Sequence, residues 1–565
     1  MSADIRELEK RLDDLKALRS SWDPLCREVR DYVYPDAGDF EGDRTEHGDK
    51  RFLKLMNTTA TSALGILAAG MMGGISSPSI PWFRLSTSSP DLDESPEVKR
   101  WLSDTQRKML MVFAHTEVYN ALHRQYAELA AFGTAASIVE PSQDPDRLID
   151  FIPLTFGEYW LAEDDSRRVN TLYRRIRMNA VDMVRRWGDR CTKAVREDYD
   201  HGKYFSQHTV YHAIEPRYDA DPRKSDAMNM PFRSVYFQRG ADHVLSESGY
   251  RTFPATCPRW FTSGSSVYGR GPGMTVLSAT KRLQQKEFRL AQAIDYQANP
   301  PIQVPKNFEG RLDQVRPGSI LFVDSAQQGQ GVRSAYEVNA KVDGLSMLIQ
   351  RDEQAIREGF YVNLFQMVSS SAERERTAYE VAQLEQEKMM VLGPVLERLS
   401  LELFDPLIKT TFQIMLEAGE IPEIPDDLRP SVQEQQEIEE GLRDAPGLSI
   451  EYVGTLMQAQ KASSLAAIDR LLAHVGAVGQ AKPEILDRWD VDKDIEEYAD
   501  RLGVSPELIV PKDDADRLRQ QRAQAQQQAA QQQMELEQMK AMGKANPQQA
   551  GEQPEAGTPE SFVQL

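Results

Sequence analysis

Apolar residues recur every three or four positions at the start of the chain, a spacing typical of an amphipathic helix. The stripe contains Ile5, Leu8, Leu12, Leu15 and Leu18. A second helix is expected to start at Asp23-Pro24, because Asp caps helix N-termini and Pro is tolerated in the first turn. It is expected to stop at Pro35. The opening of the chain therefore predicts two consecutive helices.

The following part of the chain mixes helical and strand-like patterns. A helix rich in small residues is predicted from about Leu53 to Met72, and a longer helical stretch from about Pro96 to Phe132. β-Branched and aromatic residues bounded by turn signals then predict strands within 137–178 and 231–262. A short helix is expected near 181–187. This region is interpreted as α+β.

Two long helical patterns bracket a small β-rich insertion. A glycine-rich elbow at 264–273 leads into a helix from about Met274 to Ala298, which Asn299-Pro300-Pro301 ends. Short strand patterns follow within 302–340, and a second helix runs from about Val342 to Asn363. Because the insertion begins and ends near one place, the two helices can run antiparallel as a stalk with a β module at its tip.

After the second helix, three consecutive serines interrupt the helical pattern within 366–376. This segment is interpreted either as a surface loop or as a mobile polar loop whose arginines touch phosphate transiently at the mouth of a pore. A long helical region starts at Thr377 and is expected to kink at Gly393-Pro394. Short helices are predicted across 432–508.

The last part of the chain is rich in glutamine and poor in apolar residues. Residues 514–541 are predicted to form a helix or coiled coil, and residues 542–565 to be disordered. This tail either keeps the protein soluble or assembles with other subunits as a helical tube.

Composition narrows the range of partners. The 565-residue chain has a net charge of −20 and a pI near 5.0, whereas proteins that grip DNA carry basic patches. The protein therefore either avoids nucleic acid or lies near DNA without holding it. Hydrophobic residues make up 40% of the chain, but the longest apolar run, Ala60–Ile75, is too short and glycine-rich to span a bilayer. No signal peptide is expected, since Met1–Ser20 is charged throughout.

Residues that carry catalysis or bind metals do not form recognisable patterns. The cysteines are too widely separated to predict a disulfide framework or a zinc site, and they suit a reducing compartment: Cys26, Cys191 and Cys257. The run Gly269–Gly273 contains a proline where a phosphate loop needs a backbone N–H donor, and Ser265 and Ser266 lack the glycine of a nucleophile elbow. His208 and His212 have a spacing that suits two ligands on one helix, but a structural role is favoured. We therefore predict no catalytic, cofactor-binding or metal site, and no enzyme activity.

Several short motifs occur in the order seen in one known family. They are Trp22…Tyr34-Pro35, Arg51-Phe52-Leu53…Asn57-Thr58-Thr59-Ala60, Gly70–Pro78 with Pro81-Trp82-Phe83, Tyr268-Gly269-Arg270-Gly271-Pro272 and Thr377–Val381. Together with the order of elements, they resemble the portal proteins of podoviruses, the head-to-tail connecting family that includes the T7-like connectors. The resemblance covers about residues 5–420, and beyond 430 it is one of general character.

The resemblance implies a mainly α fold with an α+β wing: a portal fold with two stem helices, a small β-rich clip, a channel loop and a helical crown. The implied parts are the wing (1–273), the first stem helix (274–299), the clip (300–341), the second stem helix (342–363), the channel loop (364–376), a long kinked wing helix (377–429), the helical crown (430–512) and the Gln-rich tail (513–565). The resemblance also places five residues in the loop that faces DNA: Ser369, Ser370, Ser371, Arg374 and Arg376.

In function, the resemblance implies a dodecameric ring at one capsid vertex, the conduit for DNA packaging and ejection. The implied partners are further copies of the chain, the capsid protein, a packaging terminase, a tail adaptor protein and double-stranded DNA that passes without sequence-specific binding. No cofactor and no membrane are implied. The implied location is the virion, with assembly in the host cytoplasm. An acidic chain agrees with a wall along which DNA slides, because each basic contact would slow its release.

Two other interpretations are compatible with the residues. One is another structural phage component, such as a scaffold or a tail protein, although a scaffold would be more uniformly helical. The other is a hydrolase that uses the abundant carboxylates without a recognisable site. Particle size separates them, because a portal would form rings and an enzyme would persist as a monomer.

Overall fold

The computed structural model divides the chain into two units, Met1–Ala467, here named the body, and Ile468–Leu565, the C-terminal unit. The residues that the structure describes are 4–42, 55–87, 92, 95–221, 224, 226–298, 302–303, 333–334, 342–365, 392–428, 448–453, 468, 471–478, 490–502, 510 and 512–544. Helices predominate in them, with small antiparallel sheets in the body.

Three helices open the body: α1 (Ile5–Arg19), α2 (Asp23–Tyr32) and α3 (Thr59–Ile75). The predicted stripe of α1 is buried as far as Leu15, but Leu18 is 61% exposed and does not belong to it. Helix α3 begins at Thr59 and not at Leu53, and the Asn57 side chain accepts a hydrogen bond from the free Thr59 amide of its first turn.

A short strand and two helices follow: β1 (Phe83–Thr87), α4 (Pro96–His115) and α5 (Val118–Phe132). The helical stretch predicted for 96–132 is thus present, but as two helices with a break at Thr116 and Glu117. Thr116 has an extended backbone, and its hydroxyl donates to the Val112 carbonyl at 2.9 Å, which satisfies a carbonyl at the end of α4.

The predicted α+β region contains two antiparallel sheets. Its elements are β2 (Ala136–Pro141), β3 (Ile149–Leu154), β4 (Tyr159–Glu163), β5 (Val169–Asn179), α6 (Ala180–Trp187), α7 (Lys193–Asp200), β6 (Gln207–Pro216), β7 (Phe232–Phe237), β8 (Ser246–Tyr250) and β9 (Ala255–Thr256). One sheet has the strand order β3-β2-β9, and the other β4-β5-β6-β7-β8. The apolar stripe of α1 packs on one face of the five-stranded sheet, against Trp160 and Tyr173. Met183 of α6 and Val195 of α7 belong to a separate core cluster with Val210 of β6.

The elements after the elbow are α8 (Pro272–Ala298), β10 (Ile302–Gln303), β11 (Arg333–Ser334) and α9 (Val342–Gly359). The two long helices predicted on either side of the insertion are thus present. Most of the insertion, and all of 366–391, lie outside the described residues.

The helical region that follows contains a π turn. Residues 392–399 are α-helical, Ser400–Phe404 form the π turn, and α10 spans Asp405–Glu417. Gly393-Pro394, the predicted kink site, lies in the first described turn, whereas the departure from α geometry falls at Ser400. A π turn accommodates one extra residue, and the buried stripe continues through it at spacings of three, four or seven residues. Its members are Leu392, Leu396 and Leu399 before the turn and Leu403, Leu407 and Ile414 after it.

The π turn docks the helix onto the end of β9. Its Glu402 carbonyl accepts a hydrogen bond from the Cys257 amide at 3.2 Å. The Glu402 carboxylate accepts from the Arg259 amide at 2.8 Å and from the Arg259 guanidinium at 2.7 Å. Arg259 also pairs with Glu163 at 3.0 Å, so this buried cation joins the π turn to the five-stranded sheet.

The helical crown predicted for 430–512 is wrong in one part. Strand β12 (Leu448–Tyr452) pairs antiparallel with β1, with Phe83 opposite Tyr452, and so belongs to the body. Ile450 and Tyr452 lie on the same face of the strand, since they are two residues apart. The Tyr452 ring contacts that of Phe404, at 5.6 Å between centroids, and its hydroxyl donates to Asp405.

The C-terminal unit contains α11 (Val491–Leu502) and α12 (Lys512–Lys544), with a helical segment at 471–478. The helix predicted for 514–541 is therefore confirmed. The predicted disorder of the last residues falls outside the described part of the chain, apart from 542–544, which belong to α12. None of the described helices is both long and apolar enough to cross a lipid bilayer.

A buried carboxyl group is hydrogen-bonded within the body. Glu128 of α5 is 1% exposed and accepts hydrogen bonds from the Thr155 hydroxyl at 2.6 Å and the Phe156 amide at 3.1 Å. Burial raises the pKa of Glu128 to about 7, although these two hydrogen bonds oppose the shift.

We predict that Glu128 makes the body less stable as pH rises from about 4.5 to about 7, since the folded protein keeps a proton that the unfolded chain releases. Glu128→Gln should remove this dependence and reduce the fall in unfolding free energy between pH 5 and pH 8 by ~2 kcal/mol. Denaturant titrations at both pH values measure it, with the exposed Glu97→Gln as control. Parallel pH profiles for the wild type and Glu128→Gln would contradict the prediction.

Candidate functional site

The five residues predicted to face DNA lie outside the described part of the chain: Ser369, Ser370, Ser371, Arg374 and Arg376. The nearest described residues are Phe365 on one side and Leu392 on the other. Their role therefore stays a prediction. The candidate site that can be described is the pair of helices that leads to this segment.

The histidines with ligand-like spacing are structural. Both lie on strand β6, and His212 is fully buried. The Arg174 guanidinium donates to His212 Nδ1 at 3.0 Å, and Ser234 contacts Nε2 at 2.9 Å. Burial, aided by the charge of Arg174, holds the pKa of His212 well below its ordinary value, so the ring is neutral.

Clusters of metal-binding side chains are absent from the described residues. No cluster of three or more His, Cys, Asp or Glu side chains occurs among them. The three cysteines, all of which are described, are buried and unpaired by disulfides. The described part of the chain thus offers no metal centre.

Helices α8 and α9 run antiparallel and are named the stalk. Arg282 and Lys286 of α8 form ion pairs with Asp352 of α9 at 3.3 and 2.7 Å. Near the base of the stalk, Gly359 packs on Val276, and a Cβ at position 359 would overlap the valine side chain. Val276, early in α8, contacts Gly359, late in α9, whereas Arg282 and Lys286, later in α8, contact the earlier Asp352. This order shows that the two helices are antiparallel.

The buried carboxylate of Asp352 sets the register of the stalk. Its residue is 5% exposed. Burial alone would raise the pKa of Asp352, but the hydrogen bonds from Lys286 and Arg282 outweigh it, and the pKa lies below its ordinary value. Sliding one helix by a turn would leave this charge without its partners, which is costly in a buried site.

Two short strands are described between the stalk helices. Ile302 pairs with Ser334 and Gln303 with Arg333, in antiparallel register. In sequence the pair follows α8 and precedes α9. The rest of the predicted β module lies outside the described residues, so its place at the tip of the stalk stays a prediction.

The glycine-rich elbow packs closely against the end of α5, at the base of α8. A Cβ on Gly271 would lie 2.7 Å from the Ala130 carbonyl oxygen and 2.8 Å from the Gly133 amide. Gly133 itself has a φ of +72° at the end of α5. Only glycine allows the two backbones to approach so closely, which supports the interpretation as a turn and not a nucleotide loop.

The outer part of the stalk exposes large apolar side chains on several sides. They are 45–72% exposed: Phe288, Ile294, Tyr296, Met347 and Leu348. On α8, Ile294 and Tyr296 lie about 240° and 80° round the helix from Phe288. One flat partner could not cover all these directions. Such a surface suits a helix pair with neighbours on more than one side.

Comparison with known proteins gives the family of the chain. Residues 6–510 match the family model described as "Bacteriophage head to tail connecting protein". The chain belongs to this family. It is 45% identical to the "Probable portal protein" of Bordetella phage BPP-1 over 522 residues, which cover 92% of this chain and 91% of that protein. It is 36% identical to the "Portal protein" of Salmonella phage epsilon15 over 521 residues, which cover 91% and 90%.

The interpretation as a phage portal, or head-to-tail connector, is thereby confirmed in preference to a scaffold or a hydrolase. Sequence reasoning about this connector missed the groups that assemble the stalk, above all Asp352 and Asn57. Neither position has a local signal for its role, since the partners of Asp352 lie on a different helix. The apolar positions of both helices are readable from their helical spacing.

We predict that Gly359→Ala lowers the unfolding free energy of the connector by about 1–3 kcal/mol, because the new methyl group overlaps Val276. Val276→Ala opens space, so the double variant Gly359→Ala/Val276→Ala should lose less than the sum of the single changes by about 1 kcal/mol. Chemical denaturation of protein in one assembly state measures the cycle.

The control is Gly65→Ala on α3, where an added Cβ would meet no atom within 4 Å. This variant should be neutral or stabilising, because alanine favours helix over glycine. Strictly additive effects of Gly359→Ala and Val276→Ala would show that the close contact is not formed.

Proposed function

We propose that this portal protein forms a dodecameric ring at one capsid vertex, through which DNA is packaged and later ejected. Its partners are further copies of the chain, the capsid protein, a packaging terminase and a tail adaptor protein. It acts as a structural connector in the virion, after assembly in the host cytoplasm, and not as an enzyme. Its likeness to portal relatives over 91–92% of the chain supports this proposal.

Within the ring we assign the stalk helices to the stem that surrounds the passage. The other assignments are the wing (1–273), the clip (300–341), the channel loop (364–376), the long wing helix (377–429), a crown within 430–512 that excludes β12, and the tail (513–565). The β pair between the stalk helices supports a clip that meets the terminase during packaging and the tail adaptor afterwards.

The observation that carries the proposal is the apolar surface round the outer stalk. A cyclic, head-to-tail interface uses two different faces of each subunit, one toward each neighbour. Side chains such as Phe288 and Tyr296, exposed in one copy at different angles, would be covered from both sides in a ring. A dimer with a two-fold axis uses a single patch and would leave part of this surface in water.

Charge on the stalk supports passage of DNA without capture. Three basic residues of α8 are paired with carboxylates of the same chain: Lys281 with Glu28 at 2.6 Å, and Arg282 and Lys286 with Asp352. The two carboxylates offset two of these three charges before any phosphate approaches. Fewer counterions would be released on contact with DNA than by three unpaired cations, which lowers the affinity for the duplex.

We predict that the purified protein assembles to the mass of a dodecamer of 64.0 kDa subunits and shows a central hole in negative stain. Phe288→Glu should weaken assembly, because a charge would be buried between neighbours. Light scattering and particle images measure both. Phe205→Glu, at a residue that is 80% exposed and distant in sequence from the stalk, is the matched control. A monomer that persists at high protein concentration would contradict the proposal.

We also predict that deleting 366–374 leaves rings intact but impairs DNA packaging or retention. Exchanging the charges of Arg374 and Arg376 should affect packaging more than subunit stability, since their proposed role is transient contact with phosphate. In vitro packaging and nuclease protection measure retained DNA. Loss of ring assembly in the deletion would count against the channel-loop assignment.

A further inference from the structure

Helix α3 is fastened to the stalk at its first residues by the Asn57 side chain. The Asn57 amide nitrogen donates one hydrogen bond to Glu287 of α8 and one to Glu353 of α9, each at 2.9 Å. Its oxygen accepts from the amide of Thr59, the first residue of α3, at 2.9 Å. One side chain therefore contacts the start of α3 and both stalk helices. Only a primary amide offers two donors and an acceptor at this reach.

A second stalk residue holds the backbone of the same segment. The Gln284 oxygen accepts from the amides of Met56 and Asn57 at 2.7 and 3.1 Å. The Gln284 nitrogen donates to the Asn57 carbonyl at 2.6 Å. Gln284 is 8% exposed, so these bonds are largely shielded from water. Position 57 is thus fixed by both its main chain and its side chain.

The other half of α3 contacts the chain where it leaves α9. A Cβ on Gly70 would overlap the Phe365 ring, so the ring lies directly on the glycine backbone. Gly70 is about 16 Å along α3 from Thr59. Asn57 precedes Gly70 along α3, and their partners Glu353 and Phe365 follow in the same order. Helices α3 and α9 therefore run in the same direction, and the chain contacts α3 both at its start and near its end. Phe365 is followed directly by the proposed channel loop.

We propose that Asn57 and Gly70 are positioning residues for the portal channel: they hold α9 and Phe365 against α3 and so set where the chain leaves the body toward the passage. This inference rests on the proposed channel-loop role of 364–376. It gives a physical reason for two motifs quoted from the sequence, the one that contains Asn57 and the one that begins at Gly70. Neither residue contacts DNA in this account.

The first test is Asn57→Asp, which replaces the two donors by a third carboxylate beside Glu287 and Glu353. Rings should still form, but hydrogen exchange at 55–59 should become about tenfold faster and DNA retention should fall. Adding Glu353→Gln restores a donor–acceptor pair and should rescue both readouts. Asn170→Asp is the matched control, because the bond that Asn170 accepts from Thr171 suits a carboxylate equally.

The second test is Gly70→Ala with Gly73→Ala as control on the same helix. A Cβ at Gly73 would meet nothing within 4 Å, whereas one at Gly70 collides with Phe365. Alanine favours helix at both positions, so any loss confined to Gly70→Ala comes from the Phe365 contact. We expect about tenfold faster exchange at 360–365 in Gly70→Ala rings, with reduced DNA retention, and neither change in Gly73→Ala.

Two results would overturn the inference. Unchanged exchange at 360–365 in Gly70→Ala rings, or failure of Glu353→Gln to rescue Asn57→Asp, would show that these residues do not hold the stalk. Faster exchange with normal DNA retention would show that holding it does not serve the channel. The deletion of 366–374 tests the channel loop separately, so failure of that assignment is recognised by normal packaging in the deletion itself.

Discussion

The antiparallel register of α8 on α9 is the constraint on which the rest of the candidate site depends. It is fixed by a buried carboxylate and a glycine: Asp352 needs both of its cations, and Gly359 lets Val276 approach the backbone. Electrostatic pairing gives the axial position, and close packing gives the distance between the helix axes. A slip of either helix would leave a buried charge unpaired.

Several features of the body act as fixed supports for this pair. The elbow glycines place the base of α8 against the end of α5, and the bonds of Gln284 and Asn57 hold its middle to the start of α3. On the far side of the undescribed segment, Arg259 holds the π turn at Glu402. The chain therefore enters and leaves 366–391 from two anchored points.

Local periodicity accounts for the parts of the fold that could be predicted. The stripe of α1 and the stalk helices follow from helical spacing, whereas α12 follows from a composition rich in Gln and Ala, which helices tolerate. The break at Thr116 and Glu117 could not be read, because neither residue is a glycine or a proline. The π turn could not be read, because Leu399 and Leu403 keep the ordinary helical spacing of four residues across it.

Long-range pairing and polar contacts account for what was missed. The alternation of Leu448, Ile450 and Tyr452 favours a strand, yet its partner β1 lies far away in sequence, so the segment was interpreted as part of a helical crown. The motif that contains Asn57 could be quoted as a family resemblance, but its role depends on Glu287 and Glu353, which come together only in the fold. Family resemblance supplied the function where no residue pattern indicated a chemistry.

The most direct test of the account is a single-particle reconstruction of the assembled protein at a resolution that separates helices. The account predicts that α8 and α9 of every subunit form the wall of the central passage, with Phe288 and Tyr296 covered by neighbouring copies. A ring in which these helices lie at the outer rim and expose the same side chains to water would contradict it.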